Sequence, residues 1–179
     1  IYTLSLHDAL PICGFFASYF DMAFGGNKKA DDFEKATATL FQDVLGYQST
    51  HVGPMGKTPD VLIVSPEANY QAIIDNKAYR AYSISNDHFN RMVHNYIPAL
   101  SDYSDSLSPL AFFLYIAGGF SNSFEAQLAH IVRETKISGA GLSVSRLISL
   151  IEKHNHSPYT HNDLLRIFSC NRSVTLSDL

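Results

Sequence analysis

The sequence predicts an α/β fold built on a mixed central β-sheet. Leu110 to Ala117 is an unbroken apolar run of eight residues closed by Gly118 and Gly119, the length and punctuation of a strand buried on both faces. Val61–Val64 and Tyr70–Ile74 are two further β-rich runs, and the Ser, Pro and Asn between them mark the turn of a hairpin. Capped stretches with helical spacing fill the intervals. The order is helix, strand, strand, helix, strand, helix, strand, with small helices appended, which is an α/β pattern.

The chain opens on Ile1, and residues 2–12, YTLSLHDALPI, read as the translation of a sequencing-adapter remnant. Residues 1–12 are therefore set apart as a non-native, adapter-derived or unstructured segment. Residues 13–179 are read as one domain, and the polypeptide as the end fragment of a longer protein. Phe15 to Phe24 has aromatics at helical spacing. Asp31 or Asp32 caps a helix through Phe33, Ala36, Leu40, Phe41, Val44 and Leu45, closed by Gly46. His51 to Lys57, HVGPMGK, is a Gly-Pro loop that feeds the first strand. Ser85 or Asn86 caps a helix over Asp87–Ile97 whose stripe is Phe89, Met92, Val93 and Tyr96, and Pro98 ends it. Residues 99–109 form a polar linker rich in Ser and Asp.

Beyond the Leu110 strand, a helix from Ser121 or Asn122 turns Phe124, Leu128, Ile131 and Val132 inward. Gly139–Val144 reads as a strand and Leu147–Lys153 as a helix, with His154 and His156 in a polar loop after it. Thr160 caps a last helix, and Asp163 at its third position completes an Asp version of the capping box. Arg172–Leu176 is a terminal strand or tail.

Composition narrows the function. At 179 residues the chain is one domain with room for a real core. Thirteen Lys and Arg against 17 Asp and Glu leave a net charge of −4, which argues against a protein that binds nucleic acid over its whole surface. It leaves room for a module that borrows DNA affinity from another domain. Ile12–Phe16 is too short to span a membrane and lacks a basic flank. Two cysteines, Cys13 and Cys170, are too few for a disulfide scaffold and lack metal-ligand spacing, so a reducing compartment is expected.

The chemistry concentrates in Thr58–Tyr79, TPDVLIVSPEANYQAIIDNKAY. A hairpin there places Asp60, at the mouth of one strand, beside Asp75 and Lys77 at the end of the next. Residues two apart on a strand share a face, so Asp75 and Lys77 point the same way. Two carboxylates and an ammonium so placed form the P-D…(D/E)-x-K pattern of metal-dependent nucleases. A surface turn with a strand-end salt bridge would give the same letters. Against that stands Asp75, which directly follows Ile73 and Ile74 in a strand that reads as buried. A carboxylate there is costly unless a cation or hydrogen bonds meet it. Glu34 is either a first-turn helix acid or a carboxylate reaching toward the metals. His51 and Lys57 can approach a phosphate backbone or simply occupy a loop, and Arg80 follows the D-x-K strand closely.

From about Phe33 onward the chain resembles the cleavage domain of FokI-type (type IIS) restriction endonucleases, of the PD-(D/E)xK superfamily. The resemblance is carried by EKATATLFQDVLGYQS, KTPDV, AIIDNKAY and, most specifically, FFLYIAGGFSNSFEAQLAHIVRETKISGAGLSVSRLI. It implies a restriction-endonuclease-like core and a non-specific, Mg2+-dependent DNA-cutting module, with Mn2+ able to substitute. It further implies a tether to an N-terminal DNA-recognition domain and a transient homodimer on double-stranded DNA. By position, the metal carboxylates fall on Asp60 and Asp75, with the backbone carbonyl of Asn76 as a further ligand and Glu34 as a candidate, and the catalytic lysine on Lys77. Asn76 stands where Thr is usual, and its side chain is expected to face away from the metals. The family's dimer helix carries an Asp and an Arg four residues apart; here those places are assigned to Arg91 and Asn95, so a reciprocal charge pair is not expected and the dimer should be weak.

The expected protein is a bacterial, cytoplasmic endonuclease acting on phosphodiester bonds of double-stranded DNA, without membrane association. Two rivals are a junction or repair nuclease on the same core and a catalytically silent DNA-binding or dimerisation module.

Overall fold

A computed structural model of the chain describes residues 6–53 and 58–179, with side chains from residue 14 onward. Five strands form one mixed sheet in the order β1-β2-β3-β4-β5: β1 (Gln48–His51), β2 (Val61–Ser65), β3 (Tyr70–Lys77), β4 (Leu110–Ala117) and β5 (Ser138–Ser143). The first three pair antiparallel and the last three parallel. The α/β reading with a mixed sheet flanked by helices is what the structure has.

Strand alternation divides the core between two faces. Ala72, Ile74, Phe112, Leu114, Ile116, Ala140 and Leu142 point to a layer made by α1 (Leu6–Ala23), α2 (Ala30–Asp43), α6 (Val144–His156) and α7 (His161–Phe168). Ile73, Phe113, Tyr115 and Ala117 point the other way, to α5 (Phe124–Thr135) and to α3 (Asn86–Asn90), which continues into one π-helical segment over Arg91–Tyr96. Because β4 is covered on both sides, its sequence has no polar alternation at all. Each large apolar side chain so buried contributes about 1.5–3 kcal/mol.

Several boundaries differ from the sequence expectation. Helix α1 begins at Leu6, so residues 6–12 continue the helix expected over Phe15–Phe24 without a break. β1 was not anticipated; Gln48–His51 alternates exposed and half-buried polar residues and is recruited by pairing with β2 rather than by apolar content. The linker after Pro98 contains a one-turn helix, α4 (Leu100–Tyr103). His154 and His156 lie in the last turn of α6 rather than in a loop, where cationic or polar side chains suit the carbonyl end of the helix. The Thr160–Asp163 capping box of α7 is present in both directions. The α2 helix is capped from Lys29 without a side-chain bond, and Asp31 and Asp32 fall inside its first turn instead.

Gly118 and Gly119 do more than end β4. A Cβ on Gly119 would come within 2.5 Å of the Arg80 carbonyl, and one on Gly118 within 2.8 Å of that of Tyr79. Their lack of side chains lets the chain leaving β3 cross close over the end of β4, where Tyr82 N–H donates to the Gly119 carbonyl at 2.8 Å. That crossing shapes one wall of the site.

Candidate active site

β2 and β3 are in register from Ser65–Tyr70 at the turn to Val61–Ile74, and one further step brings Asp60 opposite Asp75. Asp60 is held before β2 by two bonds. Its Oδ2 accepts the Asn76 N–H at 2.6 Å, and its carbonyl accepts the Val52 N–H at 2.9 Å. The second bond ties Asp60 to the strand entering the Gly-Pro loop, so the acid is fixed from both strands. Lys57 lies in that loop, outside the described residues.

Asp75 is 2 % exposed and takes a 2.7 Å hydrogen bond from Lys77 Nζ, on the same face of β3. Burial pulls the Lys77 ammonium toward deprotonation, but the charges of Asp75 and Asp60 and the bond to Asp75 outweigh it and hold its pKa above the ordinary lysine value. Lys77 is therefore a cation. Asp60 shows the opposite imbalance. Burial first, and then the charge of Asp75, push its carboxyl well above the usual range despite the pull of Lys77. One ammonium does not compensate this acidic cluster. The donors are hard carboxylate oxygens with free lone pairs, and a hard divalent cation fits both the charge deficit and the ligand type.

The cluster opens on a cleft of about 280 Å³ whose walls include Glu34, Thr58, Asp60, Asn76, Lys77, Tyr79, His88, Arg91 and Tyr96. Glu34, from the first turns of α2, binds His51 Nε2 through Oε2 at 3.0 Å, and Asp31 Oδ1 lies 3.9 Å from the same nitrogen. Asp31, Glu34 and His51 form a two-carboxylate, one-imidazole group that could hold a metal ion. Asp31 also binds Lys35 at 2.6 Å. Sequence reasoning treated Asp31 as a cap and Glu34 and His51 separately, since nothing in the spacing shows that β1 lies beside α2.

The opposite wall contains residues that the sequence did not single out for the site. His88 Nδ1 lies 3.0 Å from the Tyr82 hydroxyl, and burial followed by the charge of Lys77 lowers its pKa, favouring a neutral ring. The Tyr96 phenol is pushed up to about 12, by burial and then by Asp75. Arg80 stays exposed, its guanidinium carbon 5.5 Å from the centre of the Phe24 ring.

The helix expected to dimerise holds an ion pair of its own. Arg91 pairs within the chain with Asp87 at 2.7 Å, one helical turn earlier. An Asp and an Arg four residues apart therefore exist on this helix, at Asp87 and Arg91. The helix starts at Asn86 and widens to π geometry at Arg91. The Ile97 N–H donating to the Met92 carbonyl at 3.2 Å marks that widening.

Comparison with known proteins agrees with this architecture. The sequence matches the family described as "FokI, cleavage domain" over residues 4–175. The chain belongs to that family. Among curated proteins it is 24 % identical over 140 residues to type II restriction enzyme StsI of Streptococcus sanguinis, covering 72 % of this chain and 23 % of that protein. It is 27 % identical over 130 residues to type II restriction enzyme FokI of Planomicrobium okeanokoites, covering 64 % and 22 %. The chain thus spans less than a quarter of these relatives. The solved structure of FokI bound to DNA superposes with a TM-score of 0.77 over 90 % of this chain and 30 % of that one, at 23 % identity. The domain is a PD-(D/E)xK-type nuclease module with the fold of the FokI cleavage domain. Among the described residues no helix is long and apolar enough to cross a membrane.

Proposed function

We propose that this domain is the non-specific cleavage module of a type IIS-like restriction enzyme, hydrolysing phosphodiester bonds of double-stranded DNA with Mg2+, or Mn2+ in its place. The observation that carries the reading is the juxtaposition of Asp60, Asp75 and Lys77 across two paired strand ends, with more buried acid than one lysine balances. Asp60 and Asp75 would hold the ion, with the Asn76 carbonyl and Glu34 as further candidate ligands. The bound ion supplies Lewis acidity and lowers the pKa of water.

The chain's own residues supply the rest. Lys77, protonated and fixed by Asp75, offers N–H donors to the non-bridging phosphate oxygens that gain charge as water attacks phosphorus and the P–O bond to the leaving oxygen breaks. Holding those donors in place before reaction is what makes them effective. His51 and Arg80 are candidate contacts to the DNA backbone, together with Lys57.

The net charge of −4 leaves few cations for phosphate contacts, so the isolated module should bind duplex weakly and with a modest dependence on salt. A recognition domain elsewhere in a longer polypeptide or assembly would supply the affinity, as the length of the relatives suggests. Cutting both strands requires two such sites of opposite polarity, most simply a transient two-fold pair. The Asp87–Arg91 pair on an exposed helix face offers the reciprocal charges for it, with Asn95 beside them. A bacterial cytoplasm is the compartment that fits this role.

Nicking of supercoiled plasmid with Mg2+, with Mn2+ and with chelator tests the proposal. Metal-dependent nicking that Asp75→Asn abolishes is the expected result; equal nicking by that folded variant would overturn it. A rate of linearisation that rises faster than linearly with protein supports pairing, and its loss in Arg91→Asp with recovery in Asp87→Arg/Arg91→Asp would place the interface on this helix.

A further inference from the structure

β3 carries Asp75 and Lys77 on one face and Asn76 on the other, and behind the site Asn76 enters a buried hydrogen-bond chain. Asn76 Nδ2 donates to Thr37 Oγ1 at 2.7 Å, the Tyr19 hydroxyl lies 2.7 Å from the same oxygen, and Thr37 Oγ1 donates to the Phe33 carbonyl at 2.9 Å. A hydroxyl has one proton and two lone pairs. The carbonyl of Phe33 can only accept, so it takes the Thr37 proton, and Thr37 accepts from both Tyr19 and Asn76. The amide orientation follows, since a flipped Asn76 would face Thr37 with an oxygen and find no proton there. Asn76 Oδ1 is left buried without a partner among the described residues. This side chain is therefore oriented through its Nδ2 alone, by Thr37 at 2.7 Å with the Tyr19 hydroxyl beside it.

The main chain of the same residue faces the site. Asn76 N–H fixes Asp60 Oδ2 at 2.6 Å, and its carbonyl is the candidate metal ligand. We propose that Thr37, backed by Tyr19, is a positioning group for the metal site: by locking the Asn76 side chain from behind the sheet it sets the Asn76 N–H and carbonyl, and with them Asp60. Neither residue touches the ion. The inference rests on the metal-site reading above. It also makes α1, through Tyr19, part of the support of the site rather than only a cover on the core.

Titration calorimetry with Mn2+, in the absence of DNA, tests it on wild type, Thr37→Val, Thr37→Ser and Tyr19→Phe. Partners of this kind typically change metal affinity by about 10–100-fold, so Thr37→Val should weaken Mn2+ binding about tenfold. Thr37→Ser keeps the hydroxyl and should stay within about twofold of wild type, and Tyr19→Phe should fall between. In plasmid nicking the half-saturating Mn2+ concentration should rise by the same factor, while the rate at saturating Mn2+ changes little. A merely structural role would not split the two in this way. If Thr37→Val does not fold, Tyr19→Phe against Thr37→Ser carries the test. Wild-type Mn2+ affinity in the folded Val variant, or in Tyr19→Phe where Val does not fold, overturns the inference alone. Absence of Mn2+ binding and nicking in wild type overturns the metal-site reading and this inference with it.

Discussion

The β2–β3 hairpin ends in two polar clusters, one at each end, and they are built on opposite principles. At the turn end, Ser65 Oγ bonds His161 Nδ1 at 2.7 Å, His161 Nε2 bonds the Leu45 carbonyl at 2.9 Å, and the His161 carbonyl accepts the Tyr70 hydroxyl at 2.9 Å. Tyr47 completes it with a 2.6 Å bond to Tyr70 and a ring stacked on His161 at 4.0 Å. Both ring nitrogens are engaged, and the one carboxylate that reaches the cluster, Glu67 at 3.1 Å from Nδ1, stays largely in solvent. At the open end, Asp60 and Asp75 share one ammonium, and the carboxyl of Asp60 is driven upward by burial and by its neighbour. A closed network stabilises the fold. The open one stores an electrostatic deficit that a cation relieves. Burial and hydrogen bonding alone do not separate a structural polar cluster from a functional one; the balance of charge does.

The largest effect expected from breaking this contrast is on activity. Asp75→Asn should lower metal-dependent nicking at least about a hundredfold, equivalent to about 2.7 kcal/mol of barrier, with the circular-dichroism spectrum unchanged. Near wild-type nicking would place the chemistry elsewhere. The mirror change, His161→Ala, removes a stacked ring and two hydrogen bonds and should cost about 2–4 kcal/mol of stability. Its nicking per folded molecule should be retained, which denaturant melts paired with plasmid assays would reveal; a large loss of activity would mean that the two ends of the hairpin are not independent.

A smaller effect separates the clusters by pH. Asp60 holds its proton more tightly in the metal-free fold than in the unfolded chain. Stability therefore falls as pH rises from the unfolded value, about 4, through the folded one. Asp60→Asn removes that loss, so its metal-free melting temperature should exceed that of wild type near neutral pH and converge with it near the acid limit. A lower melting temperature at neutral pH would show that the bond from the Asn76 N–H outweighs the charge. The smallest change is Tyr70→Phe, which deletes one phenol from the closed network and should cost about 1 kcal/mol by denaturant melts. A neutral result would mean that solvent or Tyr47 satisfies the freed acceptors.

The sheet's interior and the meeting of Asp60, Asp75 and Lys77 were legible from local sequence. β4 was legible because burial on both faces demands an uninterrupted apolar run, and Asp75 with Lys77 because strand periodicity is local and needs no knowledge of neighbours. The two caps at Ser85 and Thr160 were legible for the same reason, each being a bond within three residues. Tertiary structure alone decided what joins distant segments. β1 exists because β2 offers it hydrogen bonds, so its polar residues gave no apolar signal. His51 meets Glu34 only once β1 lies beside α2, and Thr37 meets Asn76 only once α2 packs behind β3. The π-helical segment over Arg91–Tyr96 gave no sequence signal either, because its apolar stripe reads as ordinary α-helix. Local periodicity fixes which residues share a face, whereas the charge balance of a site is a sum over elements that only the packed fold brings within reach.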